Sequence, residues 1–485
     1  MKHWLRAAGV GGAVLLWGIF FLSAYKNLDP DFGWHLQVGR KLWTEGMPKT
    51  DPFSYTMPSW PWVDHGRGSD MGIAWLYDRV GMTGLAVIAA TTVILALGVV
   101  IPRELWGWAA LPLLLGSGVL LTRSGVRPQV EDWVFLAVIL KLQERKERWR
   151  KWRWLVPAGF AVWANLHGGF GVGLAVIAVN LTAGWWRGES RQIKDAAVLG
   201  LSGLATLITP YGIKLWEEIY LTMTDTHLHG AIVEWQPFFT KLDLGFWLLV
   251  AILLVILKVK TKRYPVTMWA VLGGLFLAAL SSLRNMPFFV LAIIPVIADW
   301  IRSVWTEFKN DPEKARRAKI FYAGVTAIGA VVFMIEVGVP IWKITQGRWM
   351  VYPEKAVEYL RAEGFEGRLF SVYGWGGYLI WKLPEEKVFI DGRMPSWRWK
   401  GPEGESDWAF KEYEKAVSGD FETVFEKYGV GTVLWGTGNA DKKTGWLGKL
   451  LYEKQPQAKT LTEVLAEKGW VEKYRDETAV VWERP

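Results

Sequence analysis

The sequence predicts a polytopic α-helical membrane protein, with about 11 transmembrane helices and a C-terminal extracytoplasmic α/β domain. Three observations carry that expectation. Hydrophobic residues make up 51% of the 485-residue chain and charged residues only 21%. The apolar residues fall in long blocks separated by compact basic runs, as in a chain that buries its helices in lipid. Tryptophan occurs 33 times, and its ring suits the headgroup level, where the face is apolar and the N–H stays wet.

From the N-terminus, Met1-Lys2-His3-Trp4-Leu5-Arg6 leads into an apolar run that reaches Tyr25, long enough to cross a hydrocarbon core of roughly 30 Å. No small-residue cleavage site of the A-x-A type precedes Asp29, so the run reads as a retained first helix with its basic end in the cytoplasm. Spans are expected at about 8–25, 72–101 (its first part interfacial), 105–121, 130–142, 154–166, 168–184, 195–209, 244–259, 266–283, 287–305 and 320–341. Even-numbered spans then end beside Arg103, the run Lys141 to Lys151, Arg187 to Lys194, Lys258 to Arg263 and Lys309 to Lys319. Every strongly basic loop falls on one side, as the positive-inside rule requires. The expected location is the plasma (cytoplasmic) membrane.

After the last span the chain stays outside. Pro353 to Ala362 has helical spacing, while Arg368 to Val372, Lys387 to Ile390, Thr432 to Trp435 and Ala479 to Trp482 read as strands. The expected division is a membrane unit over about 1–345, with a first outer loop at about 26–71, and an outer three-layer or open α/β unit over about 346–485. The net charge of +9 is met by basic loops, with no aromatic-basic module for RNA or DNA, so nucleic acid is not an expected partner. Cysteine is absent, which excludes disulfides, thiolate metal sites and a cysteine nucleophile.

The outer face collects the unusual residues. Asp29 and Asp31 open the first loop, and ionised side chains against a bilayer are expensive enough to mark a functional site. Asp31 is equally good helix-start chemistry as an N-cap. His35, four residues on, would share a helical face with it. Asp64 and His65 either complete the same site or fix the loop. His167 before Gly168-Gly169 suggests a helix break lining a cavity, or a kinked packing element. Asp225, His227, His229 and Glu234 form a further polar group, where His-x-His could bind a metal on an extended strand. Tyr373, Trp375 and Tyr378 could stack on a ligand or pack as core.

Asp31-Phe32-Gly33-Trp34-His35-Leu36-Gln37-Val38-Gly39-Arg40, then Glu45-Gly46-Met47-Pro48 and Asp51-Pro52-Phe53-Ser54, resembles the first outer loop of the GT-C glycosyltransferase superfamily. Trp62-Val63-Asp64-His65, Arg127-Pro128-Gln129, Trp163 to Gly169 and Glu234-Trp235 are similar to a group of poorly characterised prokaryotic membrane proteins of the same plan. Ser371 to Leu379, ending in Ile390-Asp391-Gly392-Arg393, is similar in layout to the Trp-Trp-Asp-Tyr-Gly segment of oligosaccharyltransferase catalytic subunits. The paired Trp and the Asp of that motif are replaced here by Tyr373-Gly374-Trp375-Gly376-Gly377, so recognition of a peptide sequon does not carry over.

The resemblance implies a membrane glycosyltransferase moving a sugar or glycan from a polyprenyl-phosphate or -diphosphate donor to a glycan, lipid or protein acceptor on the extracytoplasmic face. It implies Asp31 as general base in an inverting transfer, with Asp29 as the alternative. The donor phosphate would be met by Arg284 and Arg127, whose guanidinium forks suit phosphate, or by His35. Mg2+ or Mn2+ held by Asp31 and His35 would serve the same end. Asp64, His65, His167, Tyr373, Trp375 and Tyr378 are the substrate or acceptor candidates, and the family's late outer loop nominates Glu234 beside the acceptor. A noncatalytic scaffold or a lipid-linked-glycan binding protein could use the same fold. A transporter is disfavoured because the polar residues gather at one face and no matching halves are evident.

Overall fold

The computed structural model describes residues 2–187, 193–260, 263–347, 351–437 and 460–485. The basic stretches Arg187 to Lys194 and Lys258 to Arg263 therefore fall partly outside the described residues, as does part of the outer unit. Helices dominate: α1 (Lys2–Lys26), α2 (Phe32–Thr44), α3 (Arg67–Val100), α4 (Ala110–Arg123), α5 (Gln129–Gln143), α6 (Lys146–Trp152), α7 (Val156–Leu166), α8 (Phe170–Trp186), α9 (Ile193–Ala205), α10 (Ile213–Thr224), α11 (Thr226–Ala231), α12 (Leu244–Lys260), α13 (Val266–Ser281), α14 (Met286–Phe308), α15 (Pro312–Phe333) and α16 (Val339–Thr345). The outer part adds α17 (Glu354–Glu363), α18 (Gly376–Lys382), α19 (Ala409–Val417), α20 (Phe421–Tyr428) and α21 (Leu461–Glu467), with strands β1 (Arg368–Ser371), β2 (Val430–Gly436), β3 (Val471–Arg475) and β4 (Ala479–Glu483).

Each expected span falls on a helix. Among the described residues four helical stretches are long and apolar enough to cross a membrane: Gly9–Lys26, Arg67–Val100, Leu283–Phe308 and Pro312–Thr345. Ala110–Arg123, Phe170–Trp186, Leu244–Val259 and Val266–Ser281 are apolar but shorter, below a hydrocarbon core of roughly 30 Å at about 1.5 Å per residue. The long α3 is two helices in line. Gly81 breaks it at φ 61 and ψ −165, a conformation open to glycine alone, and this separates an interfacial first part from the apolar second part.

The two ends of the helices differ in chemistry. At one end Trp149 and Arg153 both donate to Asp195 Oδ1, at 2.8 and 2.7 Å, and Arg263 meets Asp299. At the other end lie Asp29, Arg127, Glu234, His167 and Arg284, joined by the contacts described below.

In the outer part the sheet is mixed, in the order β1-β2-β4-β3. β1 and β2 are parallel, β4 is antiparallel to β2, and β3 is antiparallel to β4. One strand expectation needs correction, and one strand, β3, is unexpected. Lys387 to Ile390 is not a strand of this sheet. Val388 bridges Ser54 of the first outer loop, with Tyr55 N–H donating to Val388 O at 3.1 Å and Val388 N–H to Phe53 O at 2.9 Å. β3 escapes sequence reading because it is an exposed edge strand, burial pattern eeeie, with no apolar alternation to betray it.

The second surprise is what shares a core. Trp34, Val38, Leu42, Phe53, Tyr55, Met57 and Trp62 pack in one buried cluster with residues of the outer part from Ala356 to Trp482. α2 and the first outer loop thus belong, by packing, with the C-terminal part of the chain. The contact is backbone against backbone. A Cβ on Gly33 would stand 1.9 Å from the Gly377 carbonyl oxygen, and one on Gly377 would stand 2.2 Å from that of Pro30. Gly33 and Gly377 therefore let α18 lie on α2, while Gly376 lets it lie against the Ile390-Asp391 backbone.

Arg393 locks this joint. Its guanidinium donates to Asp391 Oδ1 at 2.7 Å and to Asp51 Oδ1 at 2.6 Å, with Phe53, Trp62, Trp397 and Trp34 around it at 5.1, 5.2, 5.3 and 5.9 Å. Asp51 and Asp391 are fully buried, 2% and 0% exposed. Arg393→Ala would leave both carboxylates without a cation. It is expected to cost about 3–5 kcal/mol, read as a lower unfolding temperature in detergent, with faster proteolysis of the first outer loop. An unchanged unfolding temperature would show that the two parts are held by other means.

Candidate active site

Asp29-Pro30-Asp31 lies where the two parts meet. Asp29 Oδ1 accepts the Asp31 N–H at 3.0 Å, an Asx turn that holds the segment ahead of α2. Its other oxygen stands 3.3 Å from Arg127 Nε. Asp31 occupies the N-cap position of α2 but makes no side-chain capping hydrogen bond, so its carboxylate is not consumed by helix chemistry. Gly392 closes over it, since a Cβ there would stand 1.9 Å from Asp31 Oδ1. Burial, helped by the neighbouring Asp29 charge, pushes the Asp31 carboxyl up to about 6, with His35 and Arg127 opposing. A carboxylate with that proton affinity is ionised at neutral pH yet binds a proton well.

Beside this pair three guanidiniums, of Arg123, Arg127 and Arg284, line a cavity of about 40 Å³ with Asp132 and Glu234. Arg127 donates in a fork to Glu234, 2.7 Å to Oε1 and 3.0 Å to Oε2, the geometry in which a guanidinium binds carboxylate or phosphate. Burial would raise the Glu234 carboxyl, but Arg127 pulls it down to about 2. Arg123 donates to the Leu283 carbonyl at 2.7 Å and to Asp243 at 3.0 Å, which fixes it as a wall of the cavity.

Arg284 is held through a relay. Its guanidinium lies 3.4 Å from His167 Nε2, His167 Nδ1 lies 2.7 Å from Asp132 Oδ2, and Asp132 Oδ1 accepts the Trp163 indole N–H at 2.7 Å. A hydrogen on Nδ1 given to Asp132 leaves the Nε2 lone pair to accept from Arg284. Gly169 makes room, because a Cβ there would stand 2.1 Å from Asp132 Oδ2. Arg284 also stacks over Trp235 at 4.9 Å.

The remaining expected residues sort by position. His167, at 3% exposure, is buried between Asp132 and Arg284. His35 is not among the residues lining the arginine cavity. Its ring stacks on Trp34 at 3.6 Å and its Nδ1 meets Asp70 at 2.5 Å, while burial lowers its pKa and keeps it neutral. Asp64 fixes its own loop by accepting the Gly66 N–H at 2.8 Å, and burial raises its carboxyl well above the usual range. His65 lies edge-on to His167 at 5.6 Å and 3.8 Å from Glu218. Trp375 and Tyr378 are core: the Trp375 N–H donates to the Val351 carbonyl, and Tyr378 stacks on Tyr352 at 4.8 Å. Tyr373 is half-buried and feels Asp31, Asp391 and Glu234, and burial pushes its phenol well up.

The Asp225 group is corrected as well. His227 and His229 lie on helix α11, not on an extended strand, so they do not share a face. Asp225 caps that helix, accepting from the His227 and Leu228 N–H groups, and pairs with Arg398 at 2.7 Å. Among the described residues no group of three His, Asp or Glu is placed to hold a metal ion. Mg2+ or Mn2+ would want free oxygen ligands, but His35 is committed to Asp70 and Asp29 faces Arg127. Asp31 and His35 do not make a ligand set.

Sequence reasoning missed Arg123, Asp132 and the Asp391-Gly392-Arg393 turn as parts of the site. Arg123 stands four residues before Arg127, a spacing that signals a paired cation. Asp132 sits in an apolar span, where an unexplained carboxylate is itself a signal.

No protein-family model and no curated protein matches this sequence. Solved structures do match in three dimensions. One is the archaeal oligosaccharyltransferase AglB from Archaeoglobus fulgidus in complex with an inhibitory peptide and a dolichol-phosphate. Its TM-score is 0.60 at 11% identity, over 90% of this chain and 69% of that one. A second is ArnT from Cupriavidus metallidurans bound to undecaprenyl phosphate, with a TM-score of 0.53 at 13% identity over 99% of this chain and 98% of that one. A third is the Archaeoglobus fulgidus oligosaccharyltransferase tethered with an acceptor peptide containing the NVT sequon, at 0.53 and 12% over 90% and 69%. The chain therefore shares an oligosaccharyltransferase-like fold with these structures, and among its described residues four helical stretches are long and apolar enough to cross a membrane.

His167→Ala would leave Arg284 without its orienting acceptor and Asp132 with the Trp163 donor alone. It is expected to weaken binding of a phosphate anion at the arginine cavity about tenfold, measured by titration of the purified protein with inorganic pyrophosphate. Unchanged affinity would remove His167 from the site.

Proposed function

We propose that the chain is an inverting membrane glycosyltransferase that moves a sugar or glycan from a polyprenyl-phosphate or -diphosphate donor to a glycan, lipid or protein acceptor. The observation that carries this reading is the adjacency of an uncapped carboxylate, Asp31, and a cavity lined by Arg123, Arg127 and Arg284. The fold adds weight, since ArnT carries undecaprenyl phosphate and AglB a dolichol-phosphate.

In the reaction the acceptor X–H attacks the anomeric carbon from the face opposite the phosphate. Asp31 takes the proton, the new C–X bond forms, and the C–O bond to the phosphate breaks with its electrons leaving on the phosphate. Arg127 and Arg284 meet the charge that grows on that oxygen, in a site where water is scarce and a fixed cation counts for more. Glu234 occupies the Arg127 fork until the donor arrives. The phosphate displaces it, and the freed carboxylate is left at the acceptor side. Asp29 holds Arg127 from behind, and Tyr373, near enough to feel the Asp31 charge, serves as an aromatic platform for the sugar. With the N-terminus in the cytoplasm, this face and the outer unit at about 346–485 lie outside the plasma membrane, with the lipid tail between the spans of the unit at about 1–345.

Two measurements test the reading. Transfer from a panel of polyprenyl-phosphate and -diphosphate sugars should fall about 10²–10⁴-fold in Asp31→Asn with donor binding kept. In the wild type kcat/KM should rise with pH up to about 6 and level off above it, because a base must be ionised and the Asp31 carboxyl is raised to about 6. If Asp31→Asn is silent in cells and no donor is turned over by either protein, the noncatalytic scaffold takes the place of the enzyme. Second, Glu234→Gln should bind undecaprenyl phosphate about tenfold more tightly while transferring more slowly, since Arg127 loses its charged competitor. Weaker binding would place Glu234 with the donor instead.

A further inference from the structure

A cavity of about 850 Å³ opens among α12, α14, α15 and the turn at Trp106–Trp108, away from the Asp31 site. Arg284 lies just before the first residue of α14 and Trp305 close to its last turn, so at about 1.5 Å per residue the two sites are about 30 Å apart. That is roughly the thickness of the hydrocarbon core, about 30 Å. The cavity has tryptophan walls, from Trp108, Trp300 and Trp305, and a basic mouth of Lys314, Arg317 and Lys319.

The rim of this groove asks for an anion. The cations at the mouth are loosely held. Lys314 pairs with Asp311 at 3.2 Å and Arg317 with Glu313, all on exposed side chains, where such pairs contribute little. Lys319 stands over the Trp305 ring at 5.5 Å.

We propose that this groove binds an anionic diacyl glycerophospholipid from the leaflet next to the basic loops. Its phosphate sits at Lys314, Arg317 and Lys319, and its acyl chains run along the apolar walls. Basic pockets between helices on the cytoplasmic side select such headgroups by charge. The position selects the class of lipid. The groove lies about 30 Å from the arginine cavity along α14, so a polyprenyl phosphate whose phosphate sits beside Asp31 cannot also place it at Lys314, Arg317 and Lys319, whereas a phospholipid of the leaflet next to the basic loops can.

Native mass spectrometry of the full chain, titrated with phosphatidylglycerol, phosphatidylcholine or undecaprenyl phosphate, tests this. The wild type is expected to retain phosphatidylglycerol over phosphatidylcholine. The triple variant Lys314→Gln/Arg317→Gln/Lys319→Gln is expected to bind phosphatidylglycerol about tenfold more weakly. The same triple variant should leave undecaprenyl phosphate binding unchanged. Equal retention of the two phospholipids, or a triple variant that binds phosphatidylglycerol like the wild type, overturns the proposal. So does undecaprenyl phosphate binding that depends on Lys314, Arg317 and Lys319.

Discussion

Arg393 sits between Asp51 and Asp391 with no solvent to share the charge, and the shape of the active face follows from that arrangement. Taking a guanidinium and two carboxylates out of water is expensive, and good geometry with further hydrogen bonds is what offsets it. Here the geometry is a fork onto Asp391 and a short bond to Asp51, and an aromatic box excludes water from the cation. The contact fixes the Asp391-Gly392-Arg393 turn relative to the first outer loop. Gly392 then lands on Asp31, and α18 lands on Gly33. The burial that raises the Asp31 carboxyl thus originates in an ion triad on the neighbouring elements.

The charges around the cavity are finely matched. Arg123 answers Asp243, and Arg127 answers both Asp29 and Glu234, while Arg284 leans on the His167 ring and the face of Trp235. An anion entering this space meets guanidiniums already oriented by Asp29, Asp132 and His167. That preorganisation is what separates a binding site from a chance group of arginines. It also explains why acids as well as bases accumulate at this face: the acids hold the cations in place.

Much of this was legible in the chain. The apolar blocks mark the four long apolar helices found among the described residues, because a run long enough to cross lipid leaves a plain pattern. Asp29, Asp31, Arg127, Arg284 and Glu234 were visible as polar residues with no packing reason to be there, and the structure brings them to one place. What sequence could not show was contact between distant segments. Lys387 to Ile390 has strand composition, but its partner is the first outer loop, more than three hundred residues earlier. His35 and Asp64 looked like chemistry and proved to be buried and bound to their own surroundings, because Asp70 and the Gly66 turn are decided by tertiary packing. Trp375 and Tyr378 looked like sugar platforms and are core, since aromatic composition alone does not tell a platform from a wall.

The shared core at the joint sets an order on biosynthesis. Asp51 and Arg393 are separated by 342 residues, which at about 5–20 residues per second is roughly 20–70 s of translation. During that time the segment around Asp31 exists without its partners, and Gly33 is uncovered. The nascent chain cannot bury Asp31 until the Asp391-Gly392-Arg393 turn has been made and docks. The raised proton affinity of that carboxyl is therefore a late acquisition, present only once two segments made far apart in time have met.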